Sequence, residues 1–289
     1  MTSPEVGPLF GAVVARALDA WWRELGEPAH FSVIEHGAGP GTLARAVIRA
    51  DPECRDALRY TMVEISDVQR ASHPEAPGFY SSDVGPDPVD FGVVLANELL
   101  DNLPFGIAQH DGIVWREVQV ATENGALIEQ LGDEVQVDGW RGGEGARAPL
   151  QRLAHTWVQE ALGSVGAGRV VAIDYAVGVG ELAERGDGWV RTYRHHERGG
   201  PILEMLGQQD ITTDVVIDQL PVPDLIEEQA RFLGRFGIGD LVEEGRRLWE
   251  ANASSPNLAA IAGRSRSNEA DALCDPAGLG AFKVMHWCK

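Results

Sequence analysis

Three glycines alternate with other residues in the stretch VIEHGAGPGTLARAV (33–47), between an apolar run that stops at Glu35 and a segment with helical patterning. A backbone bare at Gly37, Gly39 and Gly41 lets a ligand reach main-chain atoms that side chains would otherwise cover. NAD, a nucleotide phosphate and S-adenosylmethionine (SAM) are the ligands that use such a turn between a strand and a helix. Polar side chains also stand where later apolar runs end: Glu64 in YTMVE (60–64), Asp83 in YSSDV, Asn97, Glu98 and Asp101 in LANELLDNLP (95–104), and Asp174 in AIDY (172–175). Carboxylates at such places can accept ribose hydroxyls, orient a guanidinium through paired hydrogen bonds, or offset charge as a proton leaves. The same residue types would equally serve as caps near helix N-termini.

Spacing separates the candidate ligands. A phosphate loop of the form GxxxxGK[ST] needs a lysine that does not follow these glycines. The NAD fingerprint needs Gly or Ala where the chain has Thr42. The actual pattern is ExGxGxG, formed by Glu35, Gly37, Gly39 and Gly41, and it resembles motif I of class I SAM-dependent methyltransferases. SAM carries an amino-acid tail and a sulfonium but no phosphate, so bare glycines suit the tail and an acidic strand end suits the cation. Glu64, ending the next strand, can accept both ribose hydroxyls, and Asp83 is a candidate for the adenine side.

These residues need a scaffold, and the apolar pattern describes one. Phe10, Val14, Leu18, Trp21, Trp22 and Leu25 recur at helical spacing until Gly26 and Pro28. FSVIE (31–35), YTMVE (60–64), FGVVLAN (91–97) and RVVAIDY (169–175) read as apolar strands covered on both faces. Helices are expected after the glycine turn, over 150–163 and over most of 225–249, with FKVMHW (282–287) as a terminal strand. Residues 105–138 break the alternation with hairpin signals at Asp111-Gly112, Asn124-Gly125 and Gly132-Asp133, and read as an antiparallel β insertion. The expectation is an α/β fold with a doubly wound, mostly parallel sheet, as one domain over 1–289 with the insertion inside it.

Composition narrows the partners. The 289 residues, 44% hydrophobic and 24% charged, suit a globular protein with a substantial core. A formal charge of −20 argues against nucleic acid and mildly favours a cationic partner. Cys54, Cys274 and Cys288 form neither a CxxC pair nor a disulfide framework, so a cytoplasmic setting is expected. No signal peptide is evident, and no apolar run approaches the roughly 18–20 residues that span a bilayer. His195, His196 and Glu197 invite a metal reading, but adjacent histidines rarely serve one ion, and no metal is expected. The sequence leaves the oligomeric state open.

Several stretches together carry a more specific resemblance. EHGAGPGTL and LANELLDNLP, with SPEVGPLFG (3–11), AIDY (172–175), QDITTDV (209–215) and DPAGLGAF (275–282), resemble the MidA-like methyltransferase family. That family includes a mitochondrial complex I assembly factor that methylates protein arginine. The resemblance implies a class I (Rossmann-like) methyltransferase sheet, SAM as cofactor, and an acceptor site at Asn97, Glu98 and Asp101. Relatives usually carry a further segment before SPEVGPLFG that would help to cover the site. The family often has His where this chain has Asp214 and Gly where it has Ala176, departures that concern the substrate more than the cofactor. Three functions are compatible with this picture: methylation of a protein arginine, methylation of a small molecule, and non-catalytic assembly through the 105–138 insertion.

Overall fold

The computed structural model describes residues 2–194, 197–255 and 257–289. The chain divides into two compact units, one of residues 1–99, 160–174 and 223–289 and the other of residues 100–159 and 175–222. His195 and His196 lie outside the described residues.

The first unit is built on strands β1 (Phe31–His36), β2 (Leu58–Val63), β3 (Phe79–Ser82), β4 (Val89–Asn97), β5 (Val165–Asp174), β6 (Leu225–Glu228) and β7 (Lys283–Cys288). Among the described residues they form one sheet in the order β6-β7-β5-β4-β1-β2-β3. Pairing is parallel from β5 through β3, while β7 runs antiparallel to both β5 and β6. Consecutive residues such as Val93 and Val94 are both fully buried, because the sheet is covered on both faces. Chain order reverses at the β1–β4 pair, with β2 and β3 on one side and β5 on the other. The carboxyl ends of β1 and β4 therefore flank the crevice where such sheets hold ligands.

Helices α1 (Ser3–Val6), α2 (Pro8–Glu24), α3 (Thr42–Ala50), α4 (Asp67–Arg70), α5 (Gln229–Arg235), α6 (Ile238–Ala251) and α7 (Leu258–Leu273) complete this unit. Phe10, Val14, Leu18 and Trp21 form the buried stripe of α2 at the spacing the sequence shows. A Cβ on Gly11 of α2 would lie 2.3 Å from that of Ala46 on α3, so the two helices cross closely at that point.

Gly132 and Asp133 lie within the strand Ala126–Glu134 instead of turning a hairpin, and two elements of the first unit also depart from expectation. Leu225–Glu228 is a strand rather than the start of a helix, because it pairs with β7; the helices that follow, α5 and α6, meet at Gly237, whose φ is +81°. Helix α7 has no apolar stripe to announce it. Its burial rests on Ala260, Gly263, Glu269 and Leu273, and on a crossing where Gly245 and Gly263 leave no room for a side chain on either helix.

The second unit carries antiparallel strands. Ala126–Glu134, Trp115–Glu123, Gly106–His110 and Arg147–Leu150 lie side by side in that order. Asn124 and Gly125 turn the longest hairpin with φ of +50° and +81°, as a two-residue hairpin loop requires. A separate small sheet joins Val190–Arg194 to Asp210–Thr213 and Glu197–Arg198. Trp140, Ala148, Leu182, Trp189 and Val216 form a local core. Across the described residues no helix is long and apolar enough to cross a membrane, and all three cysteines are free thiols.

Candidate active site

The glycine turn joins β1 to α3, and its three glycines are bare for different reasons. A Cβ on Gly41 would sit 2.8 Å from Pro74 Cδ and 3.2 Å from His73 Cδ2, so packing beneath the loop excludes it. A Cβ on Gly37 would crowd Leu99 Cδ1 at 3.1 Å. Gly39, with φ of +53°, would meet nothing within 4 Å. It faces open space, as a cradle for a ligand must.

Glu64 follows β2 and is partly exposed. Its Oε2 accepts the Gly39 N–H at 3.0 Å and its Oε1 accepts the Ser66 N–H at 2.9 Å. Each oxygen has about two lone-pair sites, so each keeps one acceptor position after these bonds. Asp83 is exposed, one residue past β3. Ile65 and Val84, the large apolar neighbours of these two acids, are 88% and 65% exposed.

Glu35 behaves differently. It is buried, and its Oε2 accepts the Tyr60 hydroxyl at 2.8 Å. Burial pushes its carboxyl up to about 8, with the Tyr60 bond pulling the other way. Glu35 therefore keeps its proton at neutral pH, and the fixed negative charge expected at this strand end is not supplied by its side chain.

At the end of β4, the Glu98 N–H continues the ladder to the Ile173 carbonyl at 2.8 Å while the backbone turns to φ +53°. A non-glycine residue in that region stores strain, which concentrates at functional sites. Glu98 Oε1 accepts both the Ser3 N–H and the Asn97 amide N–H, each at 3.2 Å. The amino-terminal stretch SPEVGPLFG thus holds Glu98 from helix α1, a role no spacing rule could have announced. Asn97 Oδ1 is buried and has no hydrogen-bond partner among the described residues. An unpartnered buried acceptor costs roughly 1–3 kcal/mol, which a ligand N–H would relieve.

Asp101 belongs to the second unit and is buried there. Its Oδ2 accepts the Thr212 hydroxyl at 2.8 Å and its Oδ1 accepts the Asn102 amide at 2.8 Å. Within QDITTDV, Thr212 serves Asp101, while buried Asp214 takes a bidentate pair from Arg191 at 3.0 Å and a further bond from Arg185 at 3.1 Å. Asp174 ends β5 fully buried. Among the described residues no group of three His, Cys, Asp or Glu side chains is arranged to hold a metal ion.

Comparison with known proteins bears on the family and the fold. Residues 13–222 match the family described as "Putative S-adenosyl-L-methionine-dependent methyltransferase". The chain belongs to that family. It is similar to the Drosophila melanogaster protein named "Protein arginine methyltransferase NDUFAF7 homolog, mitochondrial", at 28% identity over 74% of this chain and 57% of the relative. The chain thus spans little more than half the length of that relative. A crystal structure of a COG1565 superfamily member from Burkholderia thailandensis, bound to S-adenosyl-homocysteine, covers all of this chain and 78% of its own, with 26% identity and a TM-score of 0.83. A native crystal structure of a COG1565 superfamily protein from the same organism matches at 25% identity, with full coverage of this chain, 81% of its own and a TM-score of 0.82.

The chain's mostly parallel α/β sheet is the fold of its family's SAM-binding methyltransferases, and SAM is its cofactor. The residues of the first unit fit the cofactor: an open face at Gly39 and a carboxylate with spare acceptor positions at Glu64.

Proposed function

We propose that this methyltransferase modifies a protein arginine. In this reading Gly37, Gly39, Gly41, Glu64 and Asp83, above the buried Glu35, hold SAM, while Glu98, Asp101 and Asn97 serve the acceptor. SAM supplies an electrophilic methyl on sulfonium. A guanidinium stays protonated at neutral pH and is a poor nucleophile unless a carboxylate orients its fork and takes up the charge that develops. The observation that carries the proposal is Glu98, a carboxylate in a strained backbone conformation directly after β4, where open α/β sheets place their ligands. The Drosophila relative's name supports the same acceptor. We place the activity in the cytoplasm on the three free thiols; that relative is mitochondrial by name.

The test is labelling of a cell extract with methyl-tritiated SAM, followed by amino-acid analysis of the labelled fraction. Methylarginine in protein is expected. Glu98→Gln keeps the side-chain shape and removes the charge, so it should leave SAM affinity intact and lower methyl transfer by on the order of a hundredfold. Label confined to small molecules would replace the proposal with a small-molecule methyltransferase. No turnover to S-adenosyl-homocysteine under any condition would leave an assembly factor.

A further inference from the structure

The glycine turn is held from behind by a short segment that the family's motif does not include. His73 Nε2 lies 2.9 Å from the Gly39 carbonyl oxygen, and His73 Nδ1 lies 2.8 Å from Ser81 Oγ beside it on β3. A carbonyl only accepts, so Nε2 must carry the hydrogen; in the neutral ring Nδ1 then accepts the Ser81 hydroxyl. The N–H of the same Gly39 donates to Glu64. Both backbone polar groups of Gly39 are thus gripped by side chains, the N–H by Glu64 and the carbonyl by His73.

An Arg45 bridge and the packing at Gly41 also join the segment Ser72–Pro74 to the turn. Arg45 on α3 donates to the Ser72 carbonyl at 2.6 Å and to the Pro40 carbonyl at 2.5 Å. The Gly41 position is filled by Pro74 and His73, which is why no side chain fits there. Gly39, gripped from behind, keeps its Cβ side open. Without the grip, Gly39 would be a flexible glycine ahead of a proline, and ligand binding would have to order it.

We propose that His73 is a positioning residue for SAM, acting through the Gly39 peptide: it presets the turn, and with it Glu64, before the cofactor arrives. Preorganisation of this kind raises affinity by reducing the entropy lost on binding. The inference rests on SAM as cofactor and is independent of which acceptor is methylated.

The experiment compares SAM affinity by calorimetry in the full chain and its His73→Ala, His73→Gln and Ser81→Ala variants, with the thermal midpoint of each ligand-free protein. His73→Ala should weaken SAM binding about tenfold with little change in midpoint. Glutamine offers an N–H for the Gly39 carbonyl and an oxygen for Ser81, so His73→Gln should recover most of the affinity. Ser81→Ala, which only loosens the ring, should cost about twofold to threefold. In the nitrogen-15 spectrum of the wild type, His73 should show a protonated Nε2 and an unprotonated Nδ1. Unchanged affinity in His73→Ala, or the opposite tautomer, would overturn the proposal. So would equal losses of affinity and midpoint in His73→Ala and His73→Gln, since these would make the ring mere packing.

Discussion

Two glutamates stand at neighbouring strand ends of the same sheet, and they do opposite things. Glu35, within β1, points into the core against Tyr60 and holds a proton to about pH 8. Glu64, one residue past β2, stands at the surface with two backbone N–H groups fixing its oxygens and acceptor positions to spare. Both are acids that end an apolar run, and the sequence treats them alike. What separates them is the donors they meet. For Glu35, one hydroxyl inside a dry core leaves desolvation dominant, whereas Glu64 meets two backbone N–H groups at a partly exposed site. The first arrangement ties β1 to β2; the second leaves acceptor positions open at the surface.

Substitutions can break or sharpen that contrast, and the largest effect should come from the residue between the two acids. Gly39→Val puts a branched side chain on the open face and demands φ near +53° from a residue that avoids it. SAM binding should fall by on the order of a hundredfold or more, below detection in calorimetry. Normal binding by this variant would mean that the cofactor lies elsewhere.

Next in size is the pH dependence of stability at Glu35. Its carboxyl titrates near 4.5 when unperturbed and near 8 in the fold. Between those values the folded state holds a proton that the unfolded state has lost, so stability falls as pH rises through the window. The loss for this one group should be on the order of a few kcal/mol. Glu35→Gln should flatten that part of the curve in urea denaturation at pH 5, 7 and 8.5, while changing SAM affinity less than about threefold. Parallel curves for the variant and wild type would show that Glu35 is ionised throughout.

Glu64→Gln is the reciprocal case. It should weaken SAM by about 1–3 kcal/mol, through loss of charged hydrogen bonds, with little change in stability at neutral pH. A variant that lost stability but bound SAM normally would reverse the roles assigned to the two acids. The smallest effect is expected for Tyr60→Phe, which removes one hydroxyl. Stability should drop by about 1 kcal/mol, and the Glu35 titration should move further up, since the Tyr60 bond is what holds it down. A downward move, followed by the carboxyl signal in NMR, would break the account of Glu35.

The strands and the glycine turn were legible because their signals are local. Bare glycines at 37, 39 and 41, an acid at 64 and continuous apolar runs at 31–35 and 91–97 each declare a strand end or a turn without reference to the rest of the chain. The hairpin at Asn124-Gly125 declares itself in the same way. Residues 225–228 misled because IEE has no period of its own, and only pairing with β7 makes it a strand. Helix α7 was missed because two glycines and small residues pack it where an apolar stripe was sought.

The site divides along the same line. Sequence by itself determined which side chains lie at the carboxyl ends of strands, since strand ends and side-chain types are written residue by residue. It could not determine that Ser3 reaches Glu98 across 95 positions, that Thr212 holds Asp101 across 111, or that His73 grips Gly39. Nor could it tell that Glu35 keeps its proton at neutral pH. Those outcomes depend on which donors the fold brings within about 3 Å and how much water it removes, and both are decided only when distant segments pack together.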